Sequence, residues 1–476
     1  MTGRTALPDP TDLDGLRHIL AGDSNGVVRR PIGLRSIRIG PDALHDLADA
    51  VAAVKKPGPV VVIVDETAMT RDGADIKAIV AETLRGRFDM HVAVIRAHTM
   101  ELHADEDALA QADAAIADAG CVVAVGSGTI TDVAKDASHR AGDIPFVVVQ
   151  TAVSVNAFSD DMAVLLRDGV KRTVPSRWPD ALIVDIGILA EAPPAMNRAG
   201  FGELCSMFTA PADWYLADAL GMGDGYDPGI VDLFRAGAED LLRNAATLRS
   251  NDPAALTELA ARMTLTGIAM GVAGRTAPLS GTEHLFSHLL DMEAGLANRP
   301  LAFHGAQVGV ASVLAATIWH DTLEQLDPAA LLQDRSYPEP STVEHRVRAA
   351  FEPLDSTGRM ADECWRDVAR KLDRWHRARP TIELAAKDWD HHRSVLAGLV
   401  ATPDRLRTAL RDAGAAATVE ELDPPAPQSV VRWAMRALPL MRDRFTVADL
   451  RFLVGLWEDD QADALLARSA ISGGIA

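Results

Sequence analysis

Four side chains in the middle of this sequence have the chemistry of metal ligands. Glu203 stands in the apolar run Ala199-Gly200-Phe201-Gly202-Glu203-Leu204-Cys205. His284 and His288 are four residues apart in Ser280-Gly281-Thr282-Glu283-His284-Leu285-Phe286-Ser287-His288, so a helix presents both on one face. His304 is followed by Gly305, which leaves room beside the imidazole. Two neutral imidazoles and one carboxylate make a three-ligand set with a position left open for water or substrate, as a catalytic zinc requires. Upstream, Val122-Val123-Ala124-Val125 runs into Gly126-Ser127-Gly128-Thr129-Ile130-Thr131-Asp132. A strand, a glycine turn and a new helix bring backbone N–H groups close to a phosphate. Thr129 or Thr131 could add a hydroxyl donor. Asp65, directly after Val60–Val64, could hold a ribose hydroxyl or serve as a loop or cap carboxylate.

These groups need elements to hold them. Apolar, β-branched runs at 60–64, 92–95, 122–125 and 146–149 are short and bounded by charged, Gly or Pro residues, which predicts buried parallel strands. Helical spacing at 41–54, 108–117 and 130–140 lies between them, so the first part reads as a parallel sheet covered by helices. After Pro193-Pro194 the pattern is helical throughout: 202–220, 231–248, 254–272, 282–294, 306–318, 361–375, 403–412, 430–438 and 447–457. The expectation is an α/β dinucleotide-binding domain over 1–193 and an all-α metal-binding domain over 194–476.

Composition narrows the classes of function. A net charge of −20 repels nucleic acid and anionic membranes, and aromatics are only 5% of the chain. No run is long and apolar enough for a membrane helix, and the first residues show no signal-peptide core, so a cytoplasmic protein without nucleic-acid or membrane partners is expected. Three cysteines, none in a Cys-x-x-Cys pair, fit a reducing compartment. Cys121 and Cys205 read as core. His18, His45, His139, His376 and the pair His391-His392 read as surface residues.

The ordered motifs resemble the superfamily of iron- and zinc-dependent alcohol dehydrogenases, glycerol dehydrogenases and dehydroquinate synthases, most of all its sn-glycerol-1-phosphate dehydrogenases. Val64-Asp65-Glu66-Thr67, the Gly126–Lys135 segment, Thr151-Ala152-Val153-Ser154-Val155-Asn156, Pro179 to Asp185, Ala199 to Glu203 and the two histidine segments follow in the family's order over roughly 33–314. The resemblance implies a dehydroquinate synthase-like fold and a homo-oligomer. It implies Glu203, His284 and His304 as metal ligands, with His288 and Asn156 near the substrate as catalytic groups. It further implies Gly126, Ser127, Gly128 and Asp132 around the phosphates of NAD or NADP, Thr151 and Ser154 on the nicotinamide side, and Asp65 toward the adenosine ribose. The metal would be zinc, with nickel or iron as alternatives. A small phosphorylated ketone or aldehyde would be reduced, and Lys171, Arg172 and Arg275 are candidates to hold its phosphate. Two positions depart from the family: Glu203 and Asn156 both stand where its dehydrogenases usually carry Asp. Glu203 is the residue of the dehydroquinate synthase branch, so a sugar-phosphate cyclase is the alternative expectation, and a non-catalytic relative is a third. The tail beyond about residue 400 lies outside the resemblance.

Overall fold

The protein is described by a computed structural model that covers residues 6–22, 24, 26–98, 102–167, 170–223 and 225–472. Its strands are β1 (Ser36–Gly40), β2 (Val60–Val64), β3 (Thr70–Arg71), β4 (Ala74–Asp75), β5 (Met90–Val94), β6 (Cys121–Gly126), β7 (Phe146–Gln150), β8 (Met162–Arg167), β9 (Val170–Pro175) and β10 (Ala181–Asp185). Six of them form one sheet in the order β1-β10-β7-β6-β2-β5, with every neighbouring pair parallel. β2, β6, β7 and β10 are buried along their whole length, which is why they read as continuous apolar runs. Alternate residues divide between two covers. Val60, Val62, Val64, Val123 and Val125 face Leu47, Val51, Val80 and Leu84, while the helices Glu106–Ala115 and Gly128–Arg140 pack on each other and the second also lies on β6.

β5 differs from the expected buried strand. Among the described residues it pairs with β2 alone, and Val92 is 39% exposed. An edge position explains the difference, since one flank and part of one face meet no neighbour. The antiparallel hairpin of β8 and β9 was not anticipated.

The chain divides into two compact units. The first comprises 1–204, 228–276 and 412–414; the second comprises 205–227, 277–411 and 415–476. The anticipated break at Pro193-Pro194 falls inside the first unit. The helix Pro253–Ala273 belongs to that unit because it packs on the helices Ile186–Glu191, Pro194–Leu204 and Pro228–Arg235 and on β1. It is built with strong ends: the Asp252 carboxylate accepts from the N–H groups of Ala254 and Ala255, and Gly274 closes it in the left-handed region. No strand follows Asp185 among the described residues, so the rest is helical as expected. Two of the predicted helices are broken into shorter pieces. The span 202–220 becomes the end of Pro194–Leu204, a 3-10 turn and Ala210–Ala219, and 231–248 is interrupted at Gly237, whose φ is +61°.

The second unit is centred on two antiparallel neighbours in sequence, Thr282–Leu296 and His304–Gln325, which pack along each other. The helices Gln428–Ala437, Val447–Leu453 and Asp459–Ser469 pack against this pair. The tail is therefore part of the core of this unit. The three cysteines are buried. No helix among the described residues is long and apolar enough to cross a membrane.

Candidate cofactor and metal sites

In the first unit the sheet reverses its order at β2. The chain leaves β2 for β5 on one side and then returns through β6 on the other. In an open parallel sheet such a reversal leaves a crevice at the carboxyl ends of the two strands, where ligands bind. The residues at those ends are Asp65 after β2 and Gly126-Ser127-Gly128 after β6. The helix Gly128–Arg140 starts at once, with Ser127 in extended conformation as its N-cap and no side-chain cap bond. Its first N–H groups have no partner within the helix, which suits them to a phosphate.

Both glycines answer to packing. A Cβ on Gly126 would lie 2.7 Å from Cβ of Ile130, and one on Gly128 would lie 2.9 Å from Cγ2 of Val155. Thr131 Oγ1 and Asp132 Oδ1, in the next turn, are buried and make no hydrogen bond among the described residues. Burial pushes the Asp132 carboxyl up to about 8, against the pull of Lys135. That shift favours the neutral carboxyl near pH 7, beside the glycine turn. Asp65 is more occupied than a ribose ligand need be. Its Oδ1 accepts from the Thr67 N–H at 3.1 Å and its Oδ2 from the Thr67 hydroxyl at 2.9 Å, and Lys77 Nζ lies 3.3 Å from Oδ1.

The loop 151–156 is mounted on the helix Pro194–Leu204. Asn197 Oδ1 accepts from Val153 N–H at 3.2 Å while its amide donates to Leu189 O at 2.7 Å. Gly200 allows the approach, since a Cβ there would come within 1.7 Å of Val153 O. Thr151 and Ser154 are buried on this loop, and Asn156 at its end donates from Nδ2 to Glu203 Oε1 at 3.3 Å. The two departures from the family pattern thus touch each other: an amide here donates to a buried carboxylate, where Asp beside Asp would set two like charges together. Lys135, which the motif reading left aside, is fully buried. Its ammonium donates to Asp160 Oδ1 at 2.6 Å and to the carbonyls of Ala157 and Met162 at 2.5 and 2.8 Å. It ties the helix Gly128–Arg140 to the segment after Asn156. Its helical spacing from Thr131 and Asp132 was the available signal. Arg172 lies half-buried in β9, Arg275 donates to Ala273 O at 3.3 Å, and the Lys171 side chain lies outside the described residues.

In the second unit three imidazoles are grouped. Ring centroids are 5.3 Å apart for His284 and His304, 5.8 Å for His288 and His304, and 6.4 Å for His284 and His288. The hydrogen-bond network fixes the tautomers of two of them. Asp291 only accepts, so Gln307 must present its amide to Asp291 Oδ1, at 3.1 Å. The Gln307 carbonyl oxygen then accepts the Ser287 hydroxyl at 2.6 Å. Having given its one proton away, Ser287 Oγ must accept from His304 Nδ1–H, at 3.0 Å. The lone pair of His304 therefore sits on Nε2. The Glu283 carboxylate works in the same way on His284: it accepts from Nδ1 at 3.0 Å, from the Gly281 N–H at 2.6 Å and from the Thr209 hydroxyl at 2.8 Å. Imidazoles whose Nδ1–H is held by a carboxylate or hydroxyl and whose Nε2 carries the lone pair are in the form that binds metal.

The sequence profile of the iron-containing alcohol dehydrogenases matches residues 38–193. The chain is 30% identical to the glycerol-1-phosphate dehydrogenase [NAD(P)+] of Bacillus licheniformis over 71% of this chain and 80% of that one. It is 31% identical to the enzyme of the same name from Pyrococcus furiosus, over 59% and 78%. The chain belongs to the iron-containing alcohol dehydrogenase family, alongside the glycerol-1-phosphate dehydrogenases. A solved structure with the same fold is the alcohol dehydrogenase from Oenococcus oeni, with a TM-score of 0.53 at 15% identity over 91% of this chain and 99% of that one. The enzyme is a metal-dependent NAD(P) oxidoreductase, and its cofactors are NAD(P) and a divalent metal. The family does not favour the cyclase alternative, and its curated relatives are enzymes.

Among the remaining histidines, His391 is exposed as expected. His392 is not part of a solvated face. Its Nδ1 lies 2.9 Å from the Tyr215 hydroxyl, and burial, with His391 beside it, lowers its pKa. The charged neighbours Lys387, Asp388 and Asp390 suggested solvent, but the helical turn also brings Trp389 and Tyr215 against this ring.

Proposed function

We propose that the enzyme reduces a phosphorylated ketone, with dihydroxyacetone phosphate and glycerol 1-phosphate as the substrate pair. The observation that carries this reading is the pair of imidazoles, His284 and His304, each with Nδ1 held and Nε2 presented, in a chain whose relatives bear the name glycerol-1-phosphate dehydrogenase. Glu203, His284 and His304 are the ligands we assign to one divalent metal, and two nitrogens with one carboxylate favour zinc. When bound, the metal supplies Lewis acidity at the substrate oxygen and the nicotinamide exchanges hydride. Asn156 orients the Glu203 carboxylate without adding a second charge. His288, part-buried and stacked on His304 at an interplanar angle of 19°, is placed to relay the hydroxyl proton, a task suited to imidazole near neutral pH. Gly126, Ser127 and Gly128 receive the cofactor phosphates on the N-terminus of the helix Gly128–Arg140, with Asp132 behind them. Thr151 and Ser154 line the nicotinamide side, and Asp65 stands by the ribose only if its turn with Thr67 opens.

The test is stoichiometric oxidation of NADH or NADPH by dihydroxyacetone phosphate in zinc-loaded enzyme, with His304→Ala as the control. The expected outcome is one cofactor oxidised per ketone reduced, and a loss of about a thousandfold or more in the variant, the several kcal/mol that Lewis-acid stabilisation contributes. A cyclised product without net cofactor change would overturn the reading. Zinc content unchanged in His304→Ala would remove that residue from the metal site.

A further inference from the structure

The start of the helix that carries His284 is built around polar side chains buried in the second unit, and one of them comes from the tail. Asp213 accepts from Thr282 N–H at 2.7 Å and from the Thr282 hydroxyl at 2.9 Å, both on Oδ2, and from Val447 N–H at 2.8 Å on Oδ1. Glu283, fully buried, accepts from Gly281, Thr209 and His284. Two carboxylates so close in the interior repel, and Glu283 raises the pKa of Asp213, though less than burial does. Arg444 reaches the same turn from the tail. It donates from Nη1 to the Ser280 carbonyl at 2.6 Å and also bonds the Ser280 hydroxyl. Burial lowers its pKa to about 10, which leaves it charged at neutral pH.

The segment that delivers Arg444 is itself held. Lys371 donates to the carbonyls of Pro439 and Met441 at 3.1 and 3.2 Å and pairs with Asp449 Oδ1 at 2.5 Å. Thr446 and Asp449 form a reciprocal cap on the helix Val447–Leu453.

We propose that Arg444 is a positioning residue for His284. It grips Ser280, two residues before the helix Thr282–Leu296 begins. With that turn held, Glu283 accepts from the Gly281 N–H and from His284 Nδ1, which fixes the direction of Nε2. The tail is then a brace for the metal centre. This rests on the reading of His284 as a metal ligand.

The experiment measures zinc affinity by chelator competition in full-length wild type, Arg444→Met, Arg444→Lys and His284→Ala, with thermal unfolding of each metal-free protein. The expected result is zinc binding weakened about tenfold to a hundredfold in Arg444→Met, the range seen when a group orienting a metal ligand is lost, with most of it restored in Arg444→Lys. A folded Arg444→Met that binds zinc as wild type does, while His284→Ala loses it, overturns the proposal and leaves the metal site standing. Zinc affinity unchanged in His284→Ala overturns the metal reading and the proposal with it. If Arg444→Met does not fold, Glu283→Gln reads the same link: about tenfold weaker zinc binding supports it, and unchanged binding overturns it.

Discussion

The phosphate loop and the histidine cluster are held by opposite kinds of force. In the first unit the sheet does the work. Gly126 to Gly128 sit where they do because β6 is buried between β7 and β2 and the helix Gly128–Arg140 lies on its face. The driving force is apolar burial, which is non-directional and roughly additive. In the second unit the imidazoles are aimed by directed bonds: Asp291 to Gln307 to Ser287 to His304, and Glu283 to His284. A loop that cradles phosphate needs only a backbone of the right shape. A ligand set needs each ring in one tautomer and one orientation, and only hydrogen bonds specify those.

The contrast is not absolute, and its largest test lies in the first unit. Lys135 pairs with Asp160 in the interior, so part of that unit's stability is directed too. Lys135→Ala leaves Asp160 buried without its cation, which costs about 3–5 kcal/mol when a charge is stranded in this way. Urea unfolding monitored by circular dichroism should show that loss. A change below about 1 kcal/mol would mean that Asp160 takes up a proton at little cost, and that the pair contributes nothing beyond apolar packing.

The second test lies in the histidine cluster. Ser287→Ala removes the oxygen that accepts from His304 Nδ1–H and cuts Gln307 off from the ring. The core volume barely changes, so the fold should survive. Zinc affinity should fall about tenfold to a hundredfold, as measured by chelator competition, with little movement of the unfolding midpoint of the metal-free protein. Equal losses of stability and affinity would show that the network supports the helix rather than the ring.

The same contrast explains what could be read from the sequence. The strands at 60–64, 122–125 and 146–149 were legible because a buried parallel strand is apolar at every position. The glycine turn was legible because a strand, two glycines and a helix follow one another along the chain. The three imidazoles were found from type and local spacing. What aims them was not legible. Ser287 and Gln307 are 20 residues apart, Thr209 and Glu283 are 74 apart, and Asp213 and Val447 are 234 apart, with no pattern in any of them to announce a partner. Asn156 and Glu203 were each noticed as departures, but their contact across 47 residues appears only in the fold. The unit boundary was missed for a related reason. Pro193-Pro194 marks a real break between helices, yet the helix Pro253–Ala273 packs with the elements before it.

A last test asks whether the glycine turn is free of charge, as the comparison requires. Asp132 has its carboxyl pushed up to about 8, chiefly by burial, with Asp160 and Asp136 adding and Lys135 opposing. In the unfolded chain the same group ionises near its ordinary value of 3.8. Below about pH 4 both states hold the proton, and the group does not favour unfolding. Between about pH 4 and 8 the native state keeps a proton that the unfolded state has released, so stability falls as pH rises, by up to about 1.4 kcal/mol per unit. Asp132→Asn keeps the shape and removes the titration. The unfolding free energy of wild type should therefore decline more steeply than that of the variant from pH 5 to 8, and the variant should be relatively more stable at the upper end. Parallel profiles would mean that Asp132 is already ionised at neutral pH. The glycine turn would then carry a negative charge beside it, and the phosphate role proposed for its backbone would no longer follow from shape alone.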